Sequence, residues 1–277
     1  MKKYGSFMLI TDIDGTLNND ARQISAENRQ AVDFFVENGG SFAVATGRTQ
    51  KTAAPFIEAF KKVNAPCIFY NGAMLYDWES QTVLAVRNVK SDALTNYIRH
   101  MMKTVPEVLI QIYTKDSFYL INGSDTMDSN VLREKMHFEY ANLDFLLDKE
   151  WTKVMLYHTD RALLESCAAK LKDFSLTERT NHFLSSPWYL EIVEKGVSKG
   201  SMLDLIREMP KFRGKKIFAA GDFENDIEML KKADVGIAPK NAEPAAKEAA
   251  DIVSVDNNHH LMAEIIKNIM PNMQKRI

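Results

Sequence analysis

The sequence predicts an α/β fold, a Rossmann-like doubly wound parallel sheet core carrying an inserted α+β domain, and three observations predict it. Continuous apolar runs alternate with helical patterns through the first third of the chain. The same rhythm resumes in the last third. Between them the texture changes to strands with alternating apolar and polar positions. Continuous runs mark strands buried on both faces, as in parallel sheets, whereas alternation marks an antiparallel sheet with one wet face.

Taken in order, 7–10 reads as the first strand and 25–38 as a helix, with Ser25 as N-cap and Gly39-Gly40 closing its end. Ser25 followed by Asn28 is only half a capping box. A strand at 42–45, a helix around 52–63 and a strand at 67–70 complete a βαβαβ rhythm. In the middle, 91–103 and 162–171 read as helices and 153–158 and 189–194 as strands. Strands 108–113 and 118–121, joined by Thr114-Lys115-Asp116-Ser117, read as a hairpin. The final third reads as helix 199–209, strand 217–220, helix 226–233, strands 235–238 and 252–255, and a closing helix at 261–270. The predicted division is a discontinuous core, 1–85 with 190–277, and an insertion over 86–189, with the two crossings acting as hinges.

A chain of 277 residues is long enough to bury a proper core. Its net charge of -2 offers no basic footprint, which argues against a nucleic-acid partner and leaves small ligands as the default. Cys67 and Cys167, both in apolar surroundings, read as reduced buried thiols rather than a disulfide or a metal cage. Four consecutive apolar residues before Asp12 are too few for a signal-peptide core, and no run reaches membrane-spanning length, so the expectation is a cytoplasmic protein without a membrane partner. No oligomeric state is legible.

The chemistry concentrates at predicted element ends. Asp12 and Asp14 follow the first apolar run and lead into Gly15-Thr16-Leu17. Two carboxylates so close repel, so a cation between them or a retained proton is the expected resolution. Thr46-Gly47-Arg48 follows the second strand, Lys199-Gly200 opens a helix after the insertion, and Gly221-Asp222-Phe223-Glu224-Asn225-Asp226 follows a late strand. Each alone has a plain structural reading: a turn pair, a strand-to-loop segment, a solvated lysine, an acid-rich helix start. Together, at strand ends of one α/β unit, they mark a site.

With these four clusters in order, and the insertion after the third strand, the chain resembles the haloacid dehalogenase-like phosphohydrolases, specifically the Cof-type branch with a large α/β cap. D-I-D-G-T-L, V-A-T-G-R, V-S-K-G and G-D-F-E-N-D carry the resemblance. It implies a phosphatase forming an aspartyl phosphate on Asp12, with Asp14 as acid and base. It implies Mg2+ held by Asp12, the Asp14 backbone carbonyl and Asp222, with Asp226 orienting that site from behind. Phosphate oxygens would meet the Ile13 and Gly47 N–H groups, the Thr46 hydroxyl, Lys199 and the Asn225 amide. Arg48 would brace the local structure.

The implied substrate is a small phosphorylated metabolite, with sugar phosphates the leading class, and the cap would cover the core cleft and choose the leaving group. Asn71, Trp188 and Glu191 are candidates for a substrate rim. Phe223 stands where many relatives carry a small or polar residue. His259-His260 reads as an exposed loop and the methionines as core filler. A phosphomutase would share the nucleophile, and a non-catalytic phosphate-binding module is the reading from another class.

Overall fold

The computed structural model describes residues 2–115, 117–122 and 138–274. The chain divides into two compact units, Met1–Leu84 with Ser198–Ile277, and Ala85–Val197. In chain order the first unit opens with β1 (Phe7–Thr11), α1 (Ala26–Glu37), β2 (Ser41–Val44), α2 (Gln50–Ile57), β3 (Cys67–Phe69), β4 (Met74–Asp77) and β5 (Thr82–Val86), which runs across the boundary. The second unit holds α3 (Asp92–Thr104), β6 (Leu109–Tyr113), β7 (Phe118–Leu120), β8 (Glu139–Tyr140), β9 (Lys153–Tyr157), α4 (Arg161–Lys170), β10 (Thr180–Ser186) and β11 (Tyr189–Glu194). The chain then returns with α5 (Lys199–Glu208), β12 (Lys216–Ala220), α6 (Ile227–Lys232), β13 (Val235–Ala238), α7 (Pro244–Ala249) and β14 (Ile252–Val253). A terminal helical run follows, α8 (Leu261–Glu264), a wider turn over Ile265–Ile269, and α9 (Met270–Gln274).

The first unit's main sheet has the order β14-β13-β12-β1-β2, parallel throughout. A parallel bridge from Ala45 to Ile68 links the end of β2 to β3. From β1 the chain moves outward through β2 to β3, then returns to β12 on the other side and moves outward to β14. The strand order therefore reverses between β1 and β12, and ligands of open α/β sheets bind outside the strand ends at such a switch point. All five β1 residues are buried, as a continuous apolar run requires. Tyr4 packs its ring 5.1 Å from Phe35 of α1, and Phe7 meets Phe218 of β12 edge-on at 5.4 Å.

Local chemistry sets the element ends. The Ser25 hydroxyl accepts the Asn28 N–H at 3.2 Å, starting α1 as expected. Helix α2 begins earlier and ends earlier than the expected 52–63. A reciprocal Thr49–Thr52 capping box starts it, and the chain leaves helical geometry after Glu58. The expected helix at 226–233 is α6, Ile227–Lys232, and it is entered through a tight turn over Glu224–Asp226. The cause of the turn is the Asp226 carboxylate, which accepts the N–H groups of Asp222 at 3.0 Å and Phe223 at 3.2 Å.

The second unit's sheet runs β10-β11-β9-β6-β7-β8, antiparallel except between β7 and β8. Strand β6 pairs Tyr113 with Phe118 of β7 as the hairpin reading requires, although Asp116 of its loop lies outside the described residues. Strand β11 lies between β9 and β10, so the second unit runs to Val197 rather than ending at 189. The expected wet face is also corrected, because every residue of β6 and β9 is buried. One face packs Ile110, Ile112, Val154, Leu156, Leu190 and Ile192 into the unit's apolar core. The alternate positions mix apolar residues such as Leu109 and Met155 with polar ones that satisfy one another: Lys153 Nζ meets Glu191 Oε2 at 3.0 Å, and the Tyr113 hydroxyl donates to Gln111 Oε1 at 2.7 Å. Cys67 and Cys167 are free, buried thiols.

Candidate active site

Three strand ends converge at the switch point. Asp12 follows β1, Thr46 follows β2 and Asp222 follows β12, with Lys199 entering from the first turn of α5. A reciprocal Ser198–Ser201 capping box starts α5 and fixes Lys199 at its first position. Lys199 is fully buried and forks between two carboxylates, 2.6 Å from Asp12 Oδ1 and 2.7 Å from Asp226 Oδ1. Asp226 is thereby filled, since its other oxygen takes the two backbone N–H groups named above. Burial disfavours the Lys199 ammonium, but its two carboxylates outweigh that and raise its pKa.

The acids outnumber the ammonium. Carboxylate oxygens of Asp12, Asp222 and Asp226 lie within 4.8 Å of one another. Burial pushes Asp12 up to about 7, with Lys199 opposing and Asp226 and Asp14 adding to the rise. Asp222 is raised well above its ordinary value, first by burial and then by the charges of Asp12 and Asp226, while the Thr16 hydroxyl bonded to its Oδ1 at 2.6 Å opposes this. With Asp226 occupied, the carboxylate oxygens of Asp12 and Asp222 are the hard donors left at this point, and a donor set of that kind fits a divalent cation.

Asp14 has a different environment. Arg48 grips it with both prongs, Nε to Oδ2 at 2.6 Å and Nη2 to Oδ1 at 2.8 Å, and Asn18 adds a bond at 3.3 Å. Its side chain keeps 45% of its surface exposed. Crowding by the protein raises its pKa, but the Arg48 fork and Asn18 outweigh this and hold it below the usual carboxylate range. The two aspartates that would repel each other are thus pulled to separate cations. Gly15 sits at φ +80°, and a Cβ there would lie 2.5 Å from Asp222 Oδ2, so any other residue would be strained and would push the Asp222 carboxylate aside.

Donors line the same strand ends. The Ile13 N–H has no protein acceptor among the described residues. The Thr46 hydroxyl oxygen accepts the Arg48 N–H at 3.1 Å, which leaves its own proton for an outside acceptor. Asn225 donates its amide to Asn71 Oδ1 at 2.9 Å, and a Cβ on Gly47 would lie 2.8 Å from Asn71 Nδ2. Asn71, expected at a rim, is fully buried behind these groups. Trp188 and Glu191 belong to the second unit, where Trp188 is 42% exposed and Glu191 is buried against Lys153 and Ser185.

Thr16 as the partner of Asp222, and Arg48 as the clamp on Asp14, carry more of the site than the sequence reading assigned. Both stood inside the quoted motifs, but a hydroxyl or guanidinium does not reveal its partner until the chain folds. A cavity of about 490 Å3 elsewhere in this unit, lined by Lys2, Lys61, Lys62, Lys211 and Lys215 among others, holds none of the motif residues.

A carboxylate cluster around one buried ammonium thus stands at the switch point of a doubly wound sheet, the place where α/β enzymes hold their ligands. The chain matches the profile of the haloacid dehalogenase-like hydrolases over residues 9–266 and belongs to that family. It is 28% identical over 262 residues to the 5-amino-6-(5-phospho-D-ribitylamino)uracil phosphatase YcsE of Bacillus subtilis, covering 94% of each chain. It is 26% identical over 274 residues to the pyridoxal phosphate phosphatase YbhA of Escherichia coli, covering 94% of this chain and 97% of that one. The structure of a haloacid dehalogenase-like hydrolase from Bacteroides thetaiotaomicron superposes with a TM-score of 0.80 at 26% identity, covering 96% of this chain and 100% of the other. Among the described residues, no helix is long and apolar enough to cross a membrane.

Proposed function

We propose that this chain is a Mg2+-dependent phosphatase that hydrolyses a small phosphorylated metabolite, with sugar phosphates the leading class, in the cytoplasm. The observation that carries the reading is Asp12, buried at the end of β1 with one oxygen on Lys199 at 2.6 Å among further acids. Such a carboxylate is oriented for attack while its charge is offset. Relatives named for a phosphoribityl pyrimidine and for pyridoxal phosphate support a small phosphomonoester as substrate.

In this reading Asp12 attacks phosphorus, forming an acyl-phosphate O–P bond as the ester O–P bond breaks, and Asp14 delivers a proton to the departing alkoxide. Water then attacks the aspartyl phosphate, its proton passing to Asp14, which regenerates Asp12 and releases inorganic phosphate. The Ile13 and Gly47 N–H groups, the Thr46 hydroxyl, Lys199 and Asn225 hold the phosphoryl oxygens. Asp12, the Asp14 carbonyl and Asp222 would hold Mg2+, which neutralises phosphoryl charge when bound. Asp226 keeps Lys199 and the turn after β12 in place. Within the Arg48 fork Asp14 is ionised, the form that deprotonates water, so protonating a leaving group requires the fork to open.

Aryl phosphate hydrolysis tests the reading. Purified protein is expected to release phosphate with Mg2+ and to stop with chelator, and Asp12→Asn is expected to remove turnover. Equal rates in Asp12→Asn and the wild type would overturn it.

A further inference from the structure

The turn after β3 is built in a way that core packing alone does not require. Tyr70, Asn71 and Gly72 all have left-handed backbones, with φ of +52°, +55° and +106°. Asparagine and glycine tolerate that region, whereas tyrosine is strained in it. Strain held at a buried turn points toward function when the neighbours are functional. Here they are the motifs themselves. The Asn71 N–H donates to the Thr46 carbonyl at 3.0 Å and the Tyr70 N–H to the Arg48 carbonyl at 3.2 Å. A Cβ on Gly72 would collide with the Ser198 carbonyl and lie 3.0 Å from the Lys199 nitrogen.

The side chain of Asn71 completes the arrangement. Its Oδ1 accepts the Asn225 amide N–H at 2.9 Å, while the Asn225 Oδ1 is buried without a hydrogen-bond partner among the described residues. An amide presents donors at one end and a repelling oxygen at the other. With its own oxygen unbonded, Asn225 is held in one orientation by Asn71. If that bond were lost, the amide could turn its oxygen toward a phosphoryl oxygen, replacing attraction by repulsion.

We propose that Asn71 is a positioning residue for phosphoryl binding: it sets the Asn225 amide with its N–H end toward the phosphate, and its turn ties this donor to the Thr46 loop and to the start of the Lys199 helix. The inference rests on the phosphatase reading for its turnover arm alone, because phosphate binding tests it separately. It makes Tyr70-Asn71-Gly72 a fifth element of the site.

A double-mutant cycle between Asn71→Gly and Asn225→Ala tests it, since glycine keeps the left-handed backbone and removes only the amide. Two quantities are read: kcat and KM for an aryl phosphate, and the affinity for inorganic phosphate by calorimetry, both with Mg2+. Each single variant is expected to raise KM and weaken phosphate binding by roughly ten- to a hundredfold, the worth of a hydrogen bond to a charged group. The double variant is expected to be no worse than Asn225→Ala. Additive losses, or Asn71→Gly with unchanged KM and phosphate affinity, would overturn the proposal. Asn71→Ser, too short to reach Asn225, replaces the glycine variant if that one does not fold. A wild type that binds phosphate but hydrolyses no ester would sink the phosphatase reading, and the binding cycle would still decide the role of Asn71.

Discussion

Asp12 and Asp14 stand two positions apart and meet different cations, Lys199 for one and Arg48 for the other. In the proposed mechanism that split underlies separate jobs. On that reading Asp14→Asn loses proton transfer but leaves the nucleophile, so alkyl phosphates should slow by roughly 10²–10⁴-fold and activated aryl phosphates much less. Paired kinetics on the two ester types check this, and equal losses would show that Asp14 does not serve the leaving group. Lys199→Met should leave Asp12 and Asp226 buried without their shared counter-charge. Breaking such a pair costs about 3–5 kcal/mol, read by denaturant unfolding at neutral pH in metal-free protein. Unchanged stability would mean that the acids are neutralised without Lys199. Both motif aspartates and Lys199 were legible as chemistry in the sequence. Their partners were not, because Asp12 and Lys199 are 187 positions apart and no local pattern encodes such a contact.

At the scale of elements, continuous apolar runs located β1, β12 and β13 well, because a strand buried on both faces has no polar positions to blur it. Helix ends were legible where a cap is local, as at Ser25. The helix expected at 226–233 forms over Ile227–Lys232, and the turn before it is set by the Asp226 side chain, which takes the N–H groups of Asp222 and Phe223. The alternating pattern of β6, β9 and β11 was read correctly as two faces, but its polar face is dry. Lys153 and Glu191 there are only 2% and 4% exposed and answer each other. Glu191→Gln should therefore destabilise the protein by about 3–5 kcal/mol by stranding the Lys153 charge, whereas Lys153→Met with Glu191→Leu should be neutral or stabilising. Chemical denaturation of both variants checks this; a double variant worse than the single would show that the ion pair is a net source of stability.

For the whole molecule, each of the two units has a core of its own, and the acid cluster belongs entirely to the first. In the proposed reading a cation bound at Asp12 and Asp222 favours the folded state. Mg2+ at a hundredfold excess over its Kd should stabilise the fold by about 2.7 kcal/mol if it binds only the native state. Burial pushes Asp12 up to about 7, so a cation binding there at lower pH has a proton to displace. The gain should therefore be larger at pH 8 than at pH 6. Thermal unfolding with and without Mg2+ at both values reads it, and the same gain in Asp222→Asn would place the stabilising ion elsewhere.

By itself the sequence determined the α/β class, the residue types of the site and their order along the chain, because apolar periodicity and motif spacing are local properties. Only the tertiary structure decided that Asp226 is already filled by Lys199 and two N–H groups, that Arg48 clamps Asp14, and that Asn71 is buried behind Asn225. The return boundary at Val197 and the burial of both faces of β6 and β9 were likewise decided there. The reason is common to all of them: a charge or a hydrogen-bonding group declares its chemistry in one dimension, but its partner, its burial and therefore its ionisation are set by what three dimensions bring beside it.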